Sequence, residues 1–537
     1  MNRLSSLIAN KWPAFLCVLI VALVGTRFHH WLILQGSHDL VHGDLGDSRF
    51  VNLLLEHGWL FVSGSSFLTE GFWSAPWNFH PLTNSMLMSD LMLGASWNYS
   101  IFRWFGLDPG SSYQLWFITT SCTNFIAAYL LSRTIGIGLW GSLASAWIFA
   151  FSIIRGSFVA HPQLMPHYFS ALALLFGILA YRSQSRNFKA FFFGTLAGVC
   201  LSLQFWTAFY LVWFSIYTLI LATLLAFIIW RSEVIRVLRE NMIAIIGFGV
   251  SFLIGSASLA IKYLSMQSIV GGRQWSDVAG FLPRFRALFL PSPDAWIYHW
   301  LFEMNLNVSS WYSEMFMFPG IFAIFCVLLC LWQSRLKSMS PAIFCALLWV
   351  VIMLSVRYDL WKVVYFTIPG ASAIRAVGRI ALAGLIPLGI CVGFVVESLI
   401  STYGRTSSAG LRLVLSIALL SIVIVDNGVT PRFGYSLAES QARIDTIKKL
   451  LSDKTCKVFH FGSQDTPWKV NIDAMWASVQ SMSATVNGYS GHIPPGYQEA
   501  GLTDLINATG EGVQRWMALN NISISSSDVC VIKSKVE

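Results

Sequence analysis

Runs of about twenty apolar residues, repeated along the chain, limit its fold more than any other feature. A bilayer core of ~30 Å is crossed by about 20 helical residues. On that criterion the sequence predicts eleven spans, at 14–34, 113–132, 138–157, 164–181, 190–206, 210–230, 241–261, 314–333, 341–356, 377–397 and 412–426. The composition agrees: 55% of the 537 residues are hydrophobic and only 11% charged, against about 25% charged in soluble domains. Such a chain cannot cover a water-facing surface. A cytosolic enzyme, a disordered chain and a nucleic-acid binder are excluded. The first span is not read as a cleavable signal, because only Arg3 and Lys11 precede it and no small-residue cleavage site follows.

The short connections set the expected orientation. Arg133 follows the second span, Arg182, Arg186 and Lys189 the fourth, and Arg231, Arg236 and Arg239 the sixth. Arg335 and Lys337 follow the eighth, and Arg405 and Arg412 flank the turn after the tenth. By the positive-inside rule these exits and the N-terminus face the cytoplasm. The net charge of +9 is therefore a topological signal. The split within 190–230 is what keeps this alternation.

Three long segments then face outward: 35–112, 262–313 and the tail 427–537, with a shorter one at 357–376. The chain divides into a membrane domain, 1–426, and an extracytoplasmic tail domain. No GxxxxGK[ST] loop is present, so the chemistry is expected outside and without cytoplasmic nucleotide. The tail reads as a small α/β unit, with strands at 457–461 and 529–532. A helix at 437–452 carries Ala438, Ile444, Ile447 and Leu451 on one face. Seven of nine Cys lie in apolar runs; Cys456 and Cys530 lie in the tail. In an oxidising compartment these two are either bridged or left as buried thiols.

The outer segments hold the candidate chemistry. The first begins His42-Gly43-Asp44-Leu45-Gly46-Asp47-Ser48-Arg49-Phe50 and continues to Glu56-His57-Gly58-Trp59. Residues 48–61 have a helical amphipathic pattern, with Asp47 as the expected N-cap. Acids just beyond a span meet a lipid-borne substrate at headgroup level, where partial desolvation makes a carboxylate a better base. The competing reading makes Asp47 only a cap and Asp44 only a turn residue. Further along come Phe72-Trp73-Ser74-Ala75-Pro76-Trp77-Asn78-Phe79-His80-Pro81 and Ser89-Asp90. An amphipathic stretch at 86–105 follows, its aromatics suited to the membrane interface. His80 and Asp90 are the polar candidates there.

His161, Gln163 and His167 lie at the mouth of a helix pair, able to hold a phosphate or sugar, and do not match a metal-binding helix motif. Arg375 and Arg379, at i and i+4, are expected on one helix face at the outer edge. A guanidinium fork suits phosphate oxygens there; the alternative is contact with lipid headgroups. Glu314 opens the eighth span from the same side. In the tail, Asn487-Gly488-Tyr489-Ser490-Gly491-His492-Ile493-Pro494-Pro495-Gly496-Tyr497 forms a shaped loop, with Tyr489 and His492 able to bind sugar.

GDLGDSRF with LEHGW, FWSAPWNFHP, the SD element, His161, IRAVGR and NGYSGHIPPGY together resemble the bacterial GT-C superfamily of polytopic membrane glycosyltransferases, including its YfhO-like type. The resemblance implies an α-helical GT-C-like fold of about eleven transmembrane helices with a small C-terminal α/β extracytoplasmic domain. It implies sugar transfer from a polyprenyl-phosphate carrier to a glycan, lipid or protein acceptor of the cell envelope, at the bacterial inner membrane. Asp44 or Asp47 matches the essential acid of the first outer loop. Many members have closer-spaced acids, so which of the two is the base, and whether a divalent metal takes part, stay open. No other cofactor is implied. The implied mechanism is an inverting single displacement. A lipid-linked oligosaccharide flippase or other transporter would carry its ionisable residues at mid-membrane, where only Arg27 is notable. An O-antigen-type polymerase would not be expected to place its acid directly after the first span.

Overall fold

The computed structural model describes residues 12–35, 38–183, 186–304, 315–333, 340–404, 408–452, 454 and 456–534. Among them, nine helical segments are long and apolar enough to cross a membrane: Trp12–His29, Pro109–Ile135, Leu139–Ser157, Pro162–Arg182, Asn187–Thr207, Phe209–Ile229, Met242–Val270, Val377–Gly404 and Ala409–Asp426. The chain is a multi-pass membrane protein. Two of the eleven expected spans stand apart from these nine: one is a shorter helix than expected, and the other, of the expected length, runs into a bent continuation. Ile321–Gln333 has 13 residues. Pro341–Ser355 breaks by 85° into Tyr358–Thr367, so residues expected in an outer loop continue the helix at a sharp angle.

The questioned split near residue 208 is real. Ala208 is extended, with φ −152° and ψ 125°, which ends one helix and starts the next. The exposed start of the second helix is satisfied from outside it: the Phe209 N–H donates to Asp90 Oδ1 at 2.7 Å. The start of Pro109–Ile135 is set locally. Pro109 stands at the first helical position, and Asp108 Oδ1 accepts from the Gly110 and Ser111 amides at 2.8 and 3.0 Å.

Leu139–Ser157 and Val377–Gly404 form the buried centre of the bundle, whereas Trp12–His29, Phe209–Ile229 and Met242–Val270 turn most of their surface outward. Arg182 at the end of Pro162–Arg182, the short helix Arg231–Glu240 and Arg412 near the start of Ala409–Asp426 lie at one end. The first loop, the 158–167 turn, the 371–379 segment and the tail meet at the other end, as the contacts below show.

The tail carries the small sheet that its sequence suggested. Strand β1, Leu40–His42, pairs antiparallel with β2, Gly434–Ser436, placing Val41 opposite Tyr435. Strands β3 (Val458–Ser463), β4 (Ala484–Thr485) and β5 (Val529–Ser534) form a parallel sheet in the order β4-β3-β5. The helix Leu437–Ser452 buries Ile444, Ile447 and Leu451; Ala438, expected on that face, is exposed. Phe459 lies opposite Cys530 in the β3–β5 register, which brings Cys456 close enough to bond. The two are joined in a disulfide, with Cα atoms 5.7 Å apart. In the first loop, the amphipathic stretch at 86–105 falls on two 3-10 turns and a helix at Ser96–Trp104. Met92, at positive φ, breaks the run between the two turns.

Candidate active site at the loop–tail junction

The helix Asp47–Val62 carries the first candidate acid at its first residue. The cap differs from expectation: Asp47 does not cap its helix. Asp44 makes the local turn instead, with Oδ1 accepting from the Gly46 amide at 3.0 Å. Asp47 is thereby free to reach across the site. Its Oδ2 lies 3.0 Å from His161 Nδ1, and its Oδ1 accepts the Tyr489 hydroxyl at 2.5 Å. Three distant stretches of sequence thus converge on one carboxylate.

Buried packing fixes the helix that holds it. Glu56 accepts a two-pronged contact from Arg103 at 2.9 and 3.0 Å and the Tyr99 hydroxyl at 2.7 Å. Arg49 forms a buried ion pair with Asp473 at 2.5 Å, and Arg443 reaches the same Asp473 and also Asp465. The tail is therefore locked to the acid-bearing helix two residues from Asp47. Two glycines allow the close approach. A Cβ on Gly46 would stand 2.8 Å from the Trp468 ring, and one on Gly488 would stand 2.3 Å from the Phe79 ring. Asn78 Oδ1 accepts from the Tyr489 amide at 3.1 Å, tying the tail loop to the first loop.

The two acids are driven apart electrostatically. Burial raises the Asp44 carboxyl above its ordinary value, and the charge of Asp47 raises it further, against the Gly46 and Ser48 amides and His161. Burial also opposes ionisation of Asp47. There the hydrogen bond and charge of His161, the Tyr489 hydroxyl and the charge of Arg379 outweigh it, so its carboxyl stays below the ordinary value. Burial and the Asp47 charge push the Tyr489 phenol far up; it remains a hydroxyl donor.

Cations face these acids. Arg379 and Arg375 do not share a helix face as expected, because 377–379 is a 3-10 turn and the regular helix starts at Ile380. Tyr210 gathers them instead. Its ring lies 4.9 Å beneath the Arg379 guanidinium, and its hydroxyl accepts the Arg375 amide at 3.0 Å. The Arg375 guanidinium stacks over Phe281 at 4.7 Å. Arg273, which the sequence reading missed, joins this group. The tail loop presses against it, since a Cβ on Gly491 would come 2.6 Å from the Arg273 guanidinium. Burial lowers the pKa of Arg273 and nearby Arg375 lowers it further. Its signal in the sequence was a basic residue after Gly271-Gly272 at an exit expected to be poor in positive charge. His492 lies beside both arginines; burial first, then their charges, lower its pKa.

The remaining candidates fall outside this cluster or at its edge. His167 is buried in the bundle, its Nδ1 3.4 Å from Arg155 and its amide donating to Asn124, because the helix it precedes starts inside the packed turn. His80 docks the tail through its backbone, its amide donating to Thr485 and its carbonyl accepting Trp516 Nε1 at 2.8 Å. Burial lowers its imidazole to about 4. Asp90 supports a helix start as described. Burial raises it to about 6, against the Phe209 amide and the charge of Arg379. Glu314 lies outside the described residues. Among the described residues, no three His, Cys, Asp or Glu side chains gather to hold a metal ion, and both Asp47 oxygens are engaged by protein donors.

No protein-family model matches the chain, and no curated protein matches it. Among solved structures, the chain is similar to the archaeal oligosaccharyltransferase AglB from Archaeoglobus fulgidus in complex with an inhibitory peptide and a dolichol-phosphate. That match has a TM-score of 0.51 and 11% identity, covering 89% of this chain and 65% of that one. The chain thus spans about two thirds of the AglB length. The apo oligosaccharyltransferase of the same organism gives a TM-score of 0.48 at 12% identity, over 89% and 65% of the two chains. ArnT from Cupriavidus metallidurans bound to undecaprenyl phosphate gives 0.44 at 11%, over 89% and 90%. The chain has the fold of the GT-C membrane glycosyltransferases.

Proposed function

We propose that this protein transfers a sugar from a polyprenyl-phosphate carrier to an extracytoplasmic acceptor, with inversion at the anomeric carbon. The observation that carries the reading is one cluster with opposed halves. Asp44 and Asp47, with His161 and Tyr489, form an acidic half; Arg379, Arg375 and Arg273 form a basic half at the same end of the bundle. In the proposed reaction a carboxylate of the acidic half takes the proton of an acceptor hydroxyl. The hydroxyl oxygen bonds to the anomeric carbon as the bond to the phosphate oxygen breaks, and polyprenyl phosphate leaves. The leaving phosphate gains charge, which guanidinium groups stabilise without donating a proton. The likeness to AglB, solved with a dolichol-phosphate, supports a lipid-phosphate donor. No step is routed through a metal. The basic turns at the opposite end support an N-terminus in the cytoplasm and a site on the outer face of a bacterial inner membrane. The acceptor is a glycan, lipid or protein of the envelope, reached among the surrounding membrane lipids.

Binding of undecaprenyl phosphate to the purified protein tests the basic half. Arg379→Ala is expected to weaken it by about 10-fold or more, the value of a charge-assisted phosphate contact. The Asp44→Asn/Asp47→Asn double variant should bind this lipid and transfer nothing from a polyprenyl-phosphate-linked hexose. Full transfer by that variant would sink the reading.

A further inference from the structure

The two acids are not equivalent, and the geometry points to a division of labour that rests on the transfer reading above. We infer that Asp44 is the base that takes the acceptor proton, whereas Asp47 is a positioning residue clamped between His161 and Tyr489. A base needs an oxygen lone pair open to the incoming hydroxyl. Asp47 has a side-chain donor on each oxygen, His161 Nδ1 at 3.0 Å and Tyr489 Oη at 2.5 Å. Asp44 is held from its own turn, through Oδ1 and the Gly46 amide at 3.0 Å; both acids are partly exposed, so the contrast lies in the side-chain donors on Asp47. The electrostatics run the same way: the donors on Asp47 make it a weaker base, and its negative charge together with burial makes Asp44 a stronger one.

The groups around the pair set the pH behaviour. Asp44 is faced by Asp47 on the adjoining helix, His161 on the 158–167 turn, Tyr489 on the tail loop, Tyr113 on the Pro109–Ile135 helix and Tyr435 on β2. Arg379 acts on Asp47 from the 377–379 turn. Activity requires ionised Asp44, so it falls as pH drops through that residue's pKa. Removing the Asp47 charge lowers this pKa and moves the acid limb to lower pH. Removing the His161 charge raises it and moves the limb to higher pH.

The test uses the full-length protein in liposomes with a polyprenyl-phosphate-linked hexose. Asp44→Asn should lower kcat by about 10²-fold or more with KM little changed. Asp47→Asn should keep measurable turnover with its acid limb shifted down, and His161→Gln should shift it up. A dead Asp47→Asn beside an active Asp44→Asn overturns the assignment. A second measurement needs no turnover. Dicyclohexylcarbodiimide attaches to protonated carboxyl groups, and peptide mass spectrometry across a pH series should find it on Asp44 up to a higher pH than on Asp47. Tyr489→Phe should open Asp47 to the reagent. Label on Asp47 alone in the wild-type protein overturns the assignment whatever the activity. Asp44 labelling without any sugar transfer would uphold the chemical difference between the acids and count against the transfer reading instead.

Discussion

Single residues in this site act mainly through the charges they impose on one another. His492 shows this directly, because two arginines on other segments lower its pKa after burial has done so. Arg273→Ala removes one of those charges and should move the His492 titration upward, toward the ordinary value. The imidazole would then take up its proton at a higher pH than in the wild type. Selective ¹³C labelling and NMR titration in detergent would record it. An unmoved midpoint would mean that Arg273 does not reach the loop. The acids themselves were legible from sequence, since few carboxylates directly follow a span. The partner of each was not. His161 stood out as a polar residue in an apolar setting, but nothing in its spacing linked it to a carboxylate 114 positions earlier. His80, His167 and Asp90 looked alike in sequence and do not touch Asp47 in the structure, because a buried polar side chain reads the same whether it faces a ligand or a backbone amide.

At the scale of elements, the Asp47–Val62 helix is the piece on which the site depends. It is held from the membrane side by Glu56 with Arg103, and from the tail side by Arg49 with Asp473. Asp473→Ala would leave Arg49 buried without its counter-charge, and such losses cost about 3–5 kcal/mol. We expect a lower unfolding temperature and faster proteolysis within residues 437–534, with the membrane helices retained. Equal protease resistance in the variant would show that the tail docks by other contacts. The spans were readable because hydrophobic length is a local property. The 13-residue helix and the 85° break were misread for the same reason. An apolar run can turn a corner when neighbouring helices cover it. The cap at Asp47 was misread because an Asp two or three residues upstream of a helix can serve the turn equally well.

For the whole molecule, topology and site must agree on one side of the membrane. Under the proposed orientation, with the basic segments in the cytoplasm, the tail would lie outside, together with the cluster at Asp47. An alkaline phosphatase reporter fused after Ser534 should be active, and one inserted at the Arg231–Glu240 helix should be inactive. The reverse pattern would place the site in the cytoplasm and remove the extracytoplasmic acceptor from the proposal. The disulfide Cys456–Cys530 agrees with an oxidising side for the tail.

The contact between Tyr489 and Asp47 joins residues 442 positions apart, and β1 waits for β2 across almost as much chain. During synthesis the acid-bearing helix therefore enters the membrane environment long before its partners exist. A chain stopped between Arg379 and Tyr489 would carry both acids and all three arginines, yet lack the hydroxyl that holds Asp47 in place. The site matures last. A nascent or truncated copy can meet its lipid substrate without being assembled to act on it.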